Sequence, residues 1–144
     1  MAIFDAMFEF SDDQAIVADA ASTNILDWTK SDLEMGAGTP LWLNVRVGTA
    51  FDGGTSLAVS LRYDTVAPID GSSTVIYTTD AIAQASLTAG AWIIRMPLPV
   101  NVDEERILGL WYDDTGAFSA GTVNAWLDHG PQSSYDTQVT TSNI

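Results

Sequence analysis

The chain has 144 residues, 47% hydrophobic and 17% charged, with five Trp, five Phe, four Tyr and no Cys. That composition excludes a disordered or fibrous chain, and a single core suffices, because a domain of this size buries roughly 70% of its unfolded surface. Nineteen acidic against five basic side chains give a formal charge of −14, a field that repels phosphate backbones and anionic membranes, so neither nucleic acid nor membrane is an expected partner. The N-terminal stretch carries Asp5 and Glu9 where a secretion signal carries Lys or Arg. No apolar run approaches the ~20 residues that span a bilayer, and a soluble protein made in the cytoplasm is expected. Without Cys there is neither disulfide nor thiolate chemistry, which leaves stability to packing or association.

Along the chain, residues 1–13 form a candidate N-terminal arm, and the first strand candidates are Ile16 with its neighbours and Thr23 to Trp28. From Pro40 to Thr49, Leu41, Leu43, Val45 and Val47 alternate with Trp42, Asn44 and Arg46, the period-two pattern of a half-buried strand. Leu57, Val59, Leu61 and Tyr63 alternate in the same way with Ala58, Ser60 and Arg62. The link between these runs, Phe51-Asp52-Gly53-Gly54, has hairpin chemistry and predicts that the two strands pair antiparallel. Ser73 to Thr78, Trp92 to Leu98, Arg106 to Tyr112 and Thr122 to Asp128 complete about eight strands, each bounded by turn residues. Thr79 to Ala89 reads as an irregular connection, and helix content should be low. The expected fold is all-β: a single-domain, eight-stranded antiparallel jelly roll or β-sandwich over residues 1–129. Residues 130–144, rich in Ser, Thr, Gln and Asn, follow as an extended C-terminal arm.

Several residues invite chemistry. Asp114-Thr115-Gly116-Ala117 matches the tetrapeptide that dimeric aspartic proteases contribute once per subunit to a shared carboxylate pair. Its context differs: Asp113 precedes it in place of an apolar residue, and Ile107-Leu108-Gly109 lies before the tetrapeptide instead of after it. Two adjacent acids between Tyr112 and Gly116 read better as a solvated turn. Asp12-Asp13, Asp103-Glu104-Glu105 and Asp113-Asp114 are acidic pairs and triplets without calcium-loop spacing, so no metal ligands are assigned and no cofactor is expected. His129, beside Asp128, has no evident nucleophile, and no catalytic residue is assigned.

Binding is the better reading of the aromatic and basic side chains. Arg46, Arg62 and Arg95 take outward positions on their strands and are candidates to line one sheet face; Trp42 and Trp126 are out of phase with the apolar residues around them and point outward too. Aromatics with arginine dominate protein interfaces, and these five residues are the candidate contact set. The same aromatics would suit a carbohydrate-binding module, which is the alternative reading.

The sequence resembles the small jelly-roll cement, or decoration, proteins of short-tailed phage capsids. The resemblance runs through Ser11-Asp12-Asp13-Gln14-Ala15, Ser22-Thr23-Asn24-Ile25-Leu26-Asp27, Pro40-Leu41-Trp42-Leu43, Thr49-Ala50-Phe51 and Ala81-Ile82-Ala83 with Leu87-Thr88-Ala89-Gly90. It resumes at Leu98-Pro99, Arg106-Ile107-Leu108 and Gly116-Ala117-Phe118-Ser119-Ala120-Gly121-Thr122-Val123. It implies a structural virion protein on the outer capsid surface that self-associates, a dimer being favoured, and bridges subunits of the major capsid protein. It also places Asp114-Thr115-Gly116 in a turn.

Overall fold

The alternating runs become strands whose apolar sides meet. In the computed structural model, which describes residues 8–27, 41–99 and 107–128, ten strands run in chain order: β1 (Glu9–Ala15), β2 (Ala20–Ala21), β3 (Leu26–Asp27), β4 (Trp42–Val47), β5 (Ser56–Asp64), β6 (Thr74–Thr78), β7 (Ile82–Ala83), β8 (Trp92–Pro97), β9 (Ile107–Thr115) and β10 (Thr122–Asp128). The first sheet has the order β1-β10-β4-β8 and the second β2-β9-β5-β6, all antiparallel. Strand β3 pairs with β9 alongside β2, and β7 with β5 alongside β6, which reduces ten segments to eight positions. The chain alternates between sheets except at the β5–β6 hairpin, and this is the path of a jelly roll. The link from Thr79 to Ala89 holds only β7 and a 3-10 turn, Gln84–Ser86.

The sandwich interior is built from the in-phase residues. Leu43, Val45 and Val47 of β4 and Val123, Ala125 and Leu127 of β10 face Leu57, Val59 and Leu61 of β5 and Leu108, Leu110 and Tyr112 of β9; all are buried. At about 25 cal/mol per Å² of apolar area, this shared face is the main stabilising contribution. It also corrects one expectation. The strands β4 and β5 do not pair; they lie in different sheets, because their apolar sides have to face each other across the core.

The link Phe51 to Gly54 is therefore a corner between sheets. Phe51 packs edge-on against Phe118 at 4.7 Å and 71°, its N–H donates to Leu87 O at 3.0 Å, and its carbonyl accepts from Gln84 Nε2 at 2.6 Å. Gly121, at φ +140, lies so close under the Phe51 ring that any side chain there would collide with it.

At the opposite edge, a polar chain clips the two sheets together. Tyr112 Oη lies 2.8 Å from Ser11 Oγ, and because Ser11 gives its own proton to Gln14 Oε1 at 2.7 Å, the Tyr112 hydroxyl is the donor. Gln14 Oε1 also accepts from Thr23 N at 2.9 Å, and its Nε2 donates to Ala21 O at 2.8 Å. Burial pushes the Tyr112 phenol well above its ordinary pKa, opposed by the Ser11 hydrogen bond, which keeps it a neutral donor. Residues 9–13, read from sequence as part of an arm, belong to β1 and supply this clip.

Candidate interaction surface

With Leu43, Val45 and Val47 committed to the core, Trp42, Asn44 and Arg46 stand on the outer side of the first sheet. Register decides their neighbours. Asn44 lies beside Arg95 of β8 and beside Trp126 of β10; Arg46 lies beside Trp92 and Asn124; Trp42 lies beside Pro97 and Asp128. Four of the five candidate contact residues, Trp42, Arg46, Arg95 and Trp126, therefore share one face.

Trp92, on the edge strand β8, is the common partner of three of these side chains. The Arg95 guanidinium lies 4.5 Å and the Arg46 guanidinium 5.4 Å from its ring centroid, and Trp126 packs against it at 5.9 Å and 55°. Each guanidinium stack contributes on the order of 0.5–1 kcal/mol, and together they hold two positive charges in place. Sequence reasoning left Trp92 out of the contact set for a physical reason. Arg95 is three positions further along, which in a regular strand puts the two on opposite faces, but a bulge between the Arg46↔Trp92 and Val45↔Ile94 pairs restores them to the same side.

Arg46 is fixed a second time, through Nε to Gly90 O at 2.9 Å. Gly90 has φ +81, and a side chain on it would begin 2.8 Å from Arg46 Nη2, so the arginine's position depends on glycine there. Next to it opens a cleft of about 370 Å³ bordered by Asp13, Gly48 and Asn124. The Asp13 carboxylate accepts from Asn124 Nδ2 at 3.1 Å and Thr122 Oγ1 at 3.2 Å, and its backbone N–H donates to Asn124 Oδ1 at 2.7 Å.

Two expectations need correction. Trp126 does point away from the core, as its phase requires, yet it is 1% exposed; it is a packing partner of Trp92 and not a contact residue. Arg62 lies on β5 in the other sheet, so the three arginines do not share a face. Its Nε donates to Ser60 Oγ at 2.8 Å, its Nη1 to the carbonyls of Gly71 (2.7 Å), Asp70 (3.2 Å) and Ser73 (3.4 Å), and the group stacks over Trp111 at 5.7 Å. Arg62 ties the 64–73 loop to the sheet and brings down Ile69, which is buried against Gly109.

The remaining motifs have structural work. Asp114, at the end of β9, accepts the Phe118 N–H on Oδ2 at 3.2 Å, and its own N–H donates to Asp19 Oδ1 at 2.8 Å; it closes the turn to β10. Among the described residues, no three His, Asp or Glu side chains come together as a metal site. His129, the Asp103-Glu104-Glu105 triplet, the arm from Gly130 to Ile144 and residues 1–7 lie outside the described residues.

No curated protein matches the sequence. The model of the Bbp16 family matches residues 10–127, which spans the jelly roll from β1 to β10 and all the segments that carried the resemblance. The chain belongs to the Bbp16 family, a phage-related family of domains.

Proposed function

We propose that this protein is a capsid cement protein, bound to the outer surface of a phage head, where it bridges adjacent major capsid protein subunits and stabilises the shell against the pressure of packaged DNA. The observation that carries the reading is the outer face of the first sheet. Three basic side chains occur among the described residues of a chain with formal charge −14, and two of them, Arg46 and Arg95, stack on one indole of that face. A positive, aromatic and pre-positioned patch on an otherwise acidic body suits an acidic protein surface, with specificity set by charge and little side-chain entropy left to lose. The same stacking disfavours the carbohydrate alternative, since a sugar requires the open ring face that the guanidinium groups occupy. Binding at many copies per shell makes a modest contact decisive through effective concentration.

The work is done by contact area and copy number, with no bond made or broken. Heating DNA-filled shells with and without the protein tests this: shells bearing it retain DNA to a higher temperature, and equal retention would contradict the proposal. A second arm probes the contact itself, because attraction between Arg46 and Arg95 and an acidic partner weakens as salt shortens the Debye length.

A further inference from the structure

The outer face of the first sheet is not positive throughout. Its strand order is β1-β10-β4-β8, and the basic side chains Arg46 and Arg95 stand on the β4–β8 half. The β1 half is acidic. Glu9 lies beside outward-facing Trp126 in the register, while Phe10 next to it is buried in the core, and Asp12 is near enough for its charge to act on Glu9. Asp13 follows, exposed, on the border of the cleft that Arg46 also lines.

Asp13 is fixed in a way that a merely solvated acid does not require. Its φ is +42, a conformation that costs a non-glycine residue free energy. Asn124, itself 5% exposed, commits both ends of its amide to it: Nδ2 donates to Asp13 Oδ1 at 3.1 Å, and Oδ1 accepts the Asp13 N–H at 2.7 Å. Thr122 Oγ1 donates to the same carboxylate oxygen at 3.2 Å, so none of these bonds uses Asp13 Oδ2. Gly48 makes the arrangement possible, because a side chain there would collide with Asp13 Oδ1 and Thr122 Oγ1.

A partner that was acidic throughout would be repelled by this half of the face. We propose that the face reads a protein surface of mixed charge, with one basic side chain of the partner entering the cleft against Asp13 and acidic side chains lying against Arg46 and Arg95. The inference rests on the cement reading and deepens it by stating what the shell surface carries. The cleft, about 370 Å³, is at the small end of binding pockets and suits a single side chain. Neighbouring strands lie about 4.8 Å apart, so the β1 backbone at Asp13 stands about 10 Å from that of Arg46, two strands away, and about 14 Å from that of Arg95, three strands away. The partner's opposite charges must repeat that spacing. Such a pattern also fixes which way round the protein binds, since a half-turn in the plane of the shell would set arginines against the basic residue and Asp13 against the acids.

Binding of the full chain to shells of the parent phage that lack it tests this, with Asp13→Asn as the variant. Asn keeps a carbonyl oxygen for the Asn124 and Thr122 donors and tolerates positive φ, so near-UV circular dichroism and the urea midpoint should match the wild type. Removing one negative charge from a body of formal charge −14 would tighten binding to a uniformly acidic partner. The mixed-charge contact requires the opposite: the dissociation constant rises about tenfold, and its dependence on salt becomes shallower because one charge pair is gone. Asp80→Asn, at an exposed acid between β6 and β7 of the other sheet, should leave affinity unchanged or slightly improved. An Asp13→Asn variant that binds as tightly as the wild type or tighter, or an Asp80→Asn variant that weakens binding equally, would overturn the proposal. Shell binding lost in Arg95→Glu but kept in Asp13→Asn would leave the cement reading standing without this contact, whereas a wild type that does not bind shells would sink both.

Discussion

Replacing Arg62 by Ala separates the arginine that holds the fold from those offered to a partner. The change removes two short hydrogen bonds, to Ser60 Oγ at 2.8 Å and Gly71 O at 2.7 Å, two longer ones to Asp70 O and Ser73 O, and the stack on Trp111. Two charge-assisted bonds would sum to about 3–6 kcal/mol in a buried site, and partial exposure of the guanidinium reduces the expected loss to about 2–4 kcal/mol. For a domain of this size that is a fall in Tm of about 2–4 °C per kcal/mol. Arg95→Ala, at an exposed residue stacked on Trp92, should cost no more than about 1 kcal/mol. Urea unfolding followed by tryptophan fluorescence reads both, with a common m value required for the comparison. Equal, small losses for the two variants would refute the assignment of Arg62 to the loop and reopen it as a contact residue.

Trp126→Ala should destabilise by about 3–5 kcal/mol, as a buried aromatic does; an unchanged urea midpoint would show that the ring is not packed. Asp114→Asn keeps an oxygen for the Phe118 N–H and should match the wild type in stability and shell binding, whereas Asp114→Ala should cost about 1 kcal/mol; a loss of shell binding in the Asn variant would count against a purely structural Asp114. Asp64 and Asp70 titrate below the ordinary value of 3.8, each held down chiefly by serine hydroxyl and backbone N–H donors. Their contribution to the loop is thus complete above pH 3.8 and lost as pH falls through the lowered values, which carboxyl-carbon NMR titration would show as midpoints under 3.8. Glu9 has the opposite sign: burial, then the charge of Asp12, raise its pKa above 4.5, so the strain it adds at neutral pH is relieved as pH falls through that raised value.

How much of this was legible in the sequence depended on whether parity survived. In β4, β5 and β10 the period of two is unbroken, and Leu43, Leu57 and Val123 with their in-phase neighbours could be assigned to the core without coordinates. Where a bulge intervenes, as between Trp92 and Ile94 or at Ile76, alternation assigns the wrong face, and that concealed the Arg46–Trp92–Arg95 cluster. Pairing was harder still: a Gly-Gly link has the same chemistry whether it closes a hairpin or turns a corner between sheets, and only the need to bury both apolar faces against each other decides. Trp126 shows a third limit, because phase says which way a side chain points and not what covers it. The segments Ser11 to Ala15 and Gly116 to Val123 encode the inter-sheet clip and the Phe51–Phe118 corner, so their resemblance to cement proteins reports the scaffold more than the contact.

The most direct measurement is the number of copies bound per purified shell, using shells of the parent phage that lack this protein, for the wild type and for Arg95→Glu. Arg95 is exposed and its charge stacks on Trp92 on the outer face, so reversal should leave the fold intact and abolish most binding, while the wild type saturates a fixed number of sites. Undiminished occupancy by the variant would contradict a shell contact through the first sheet.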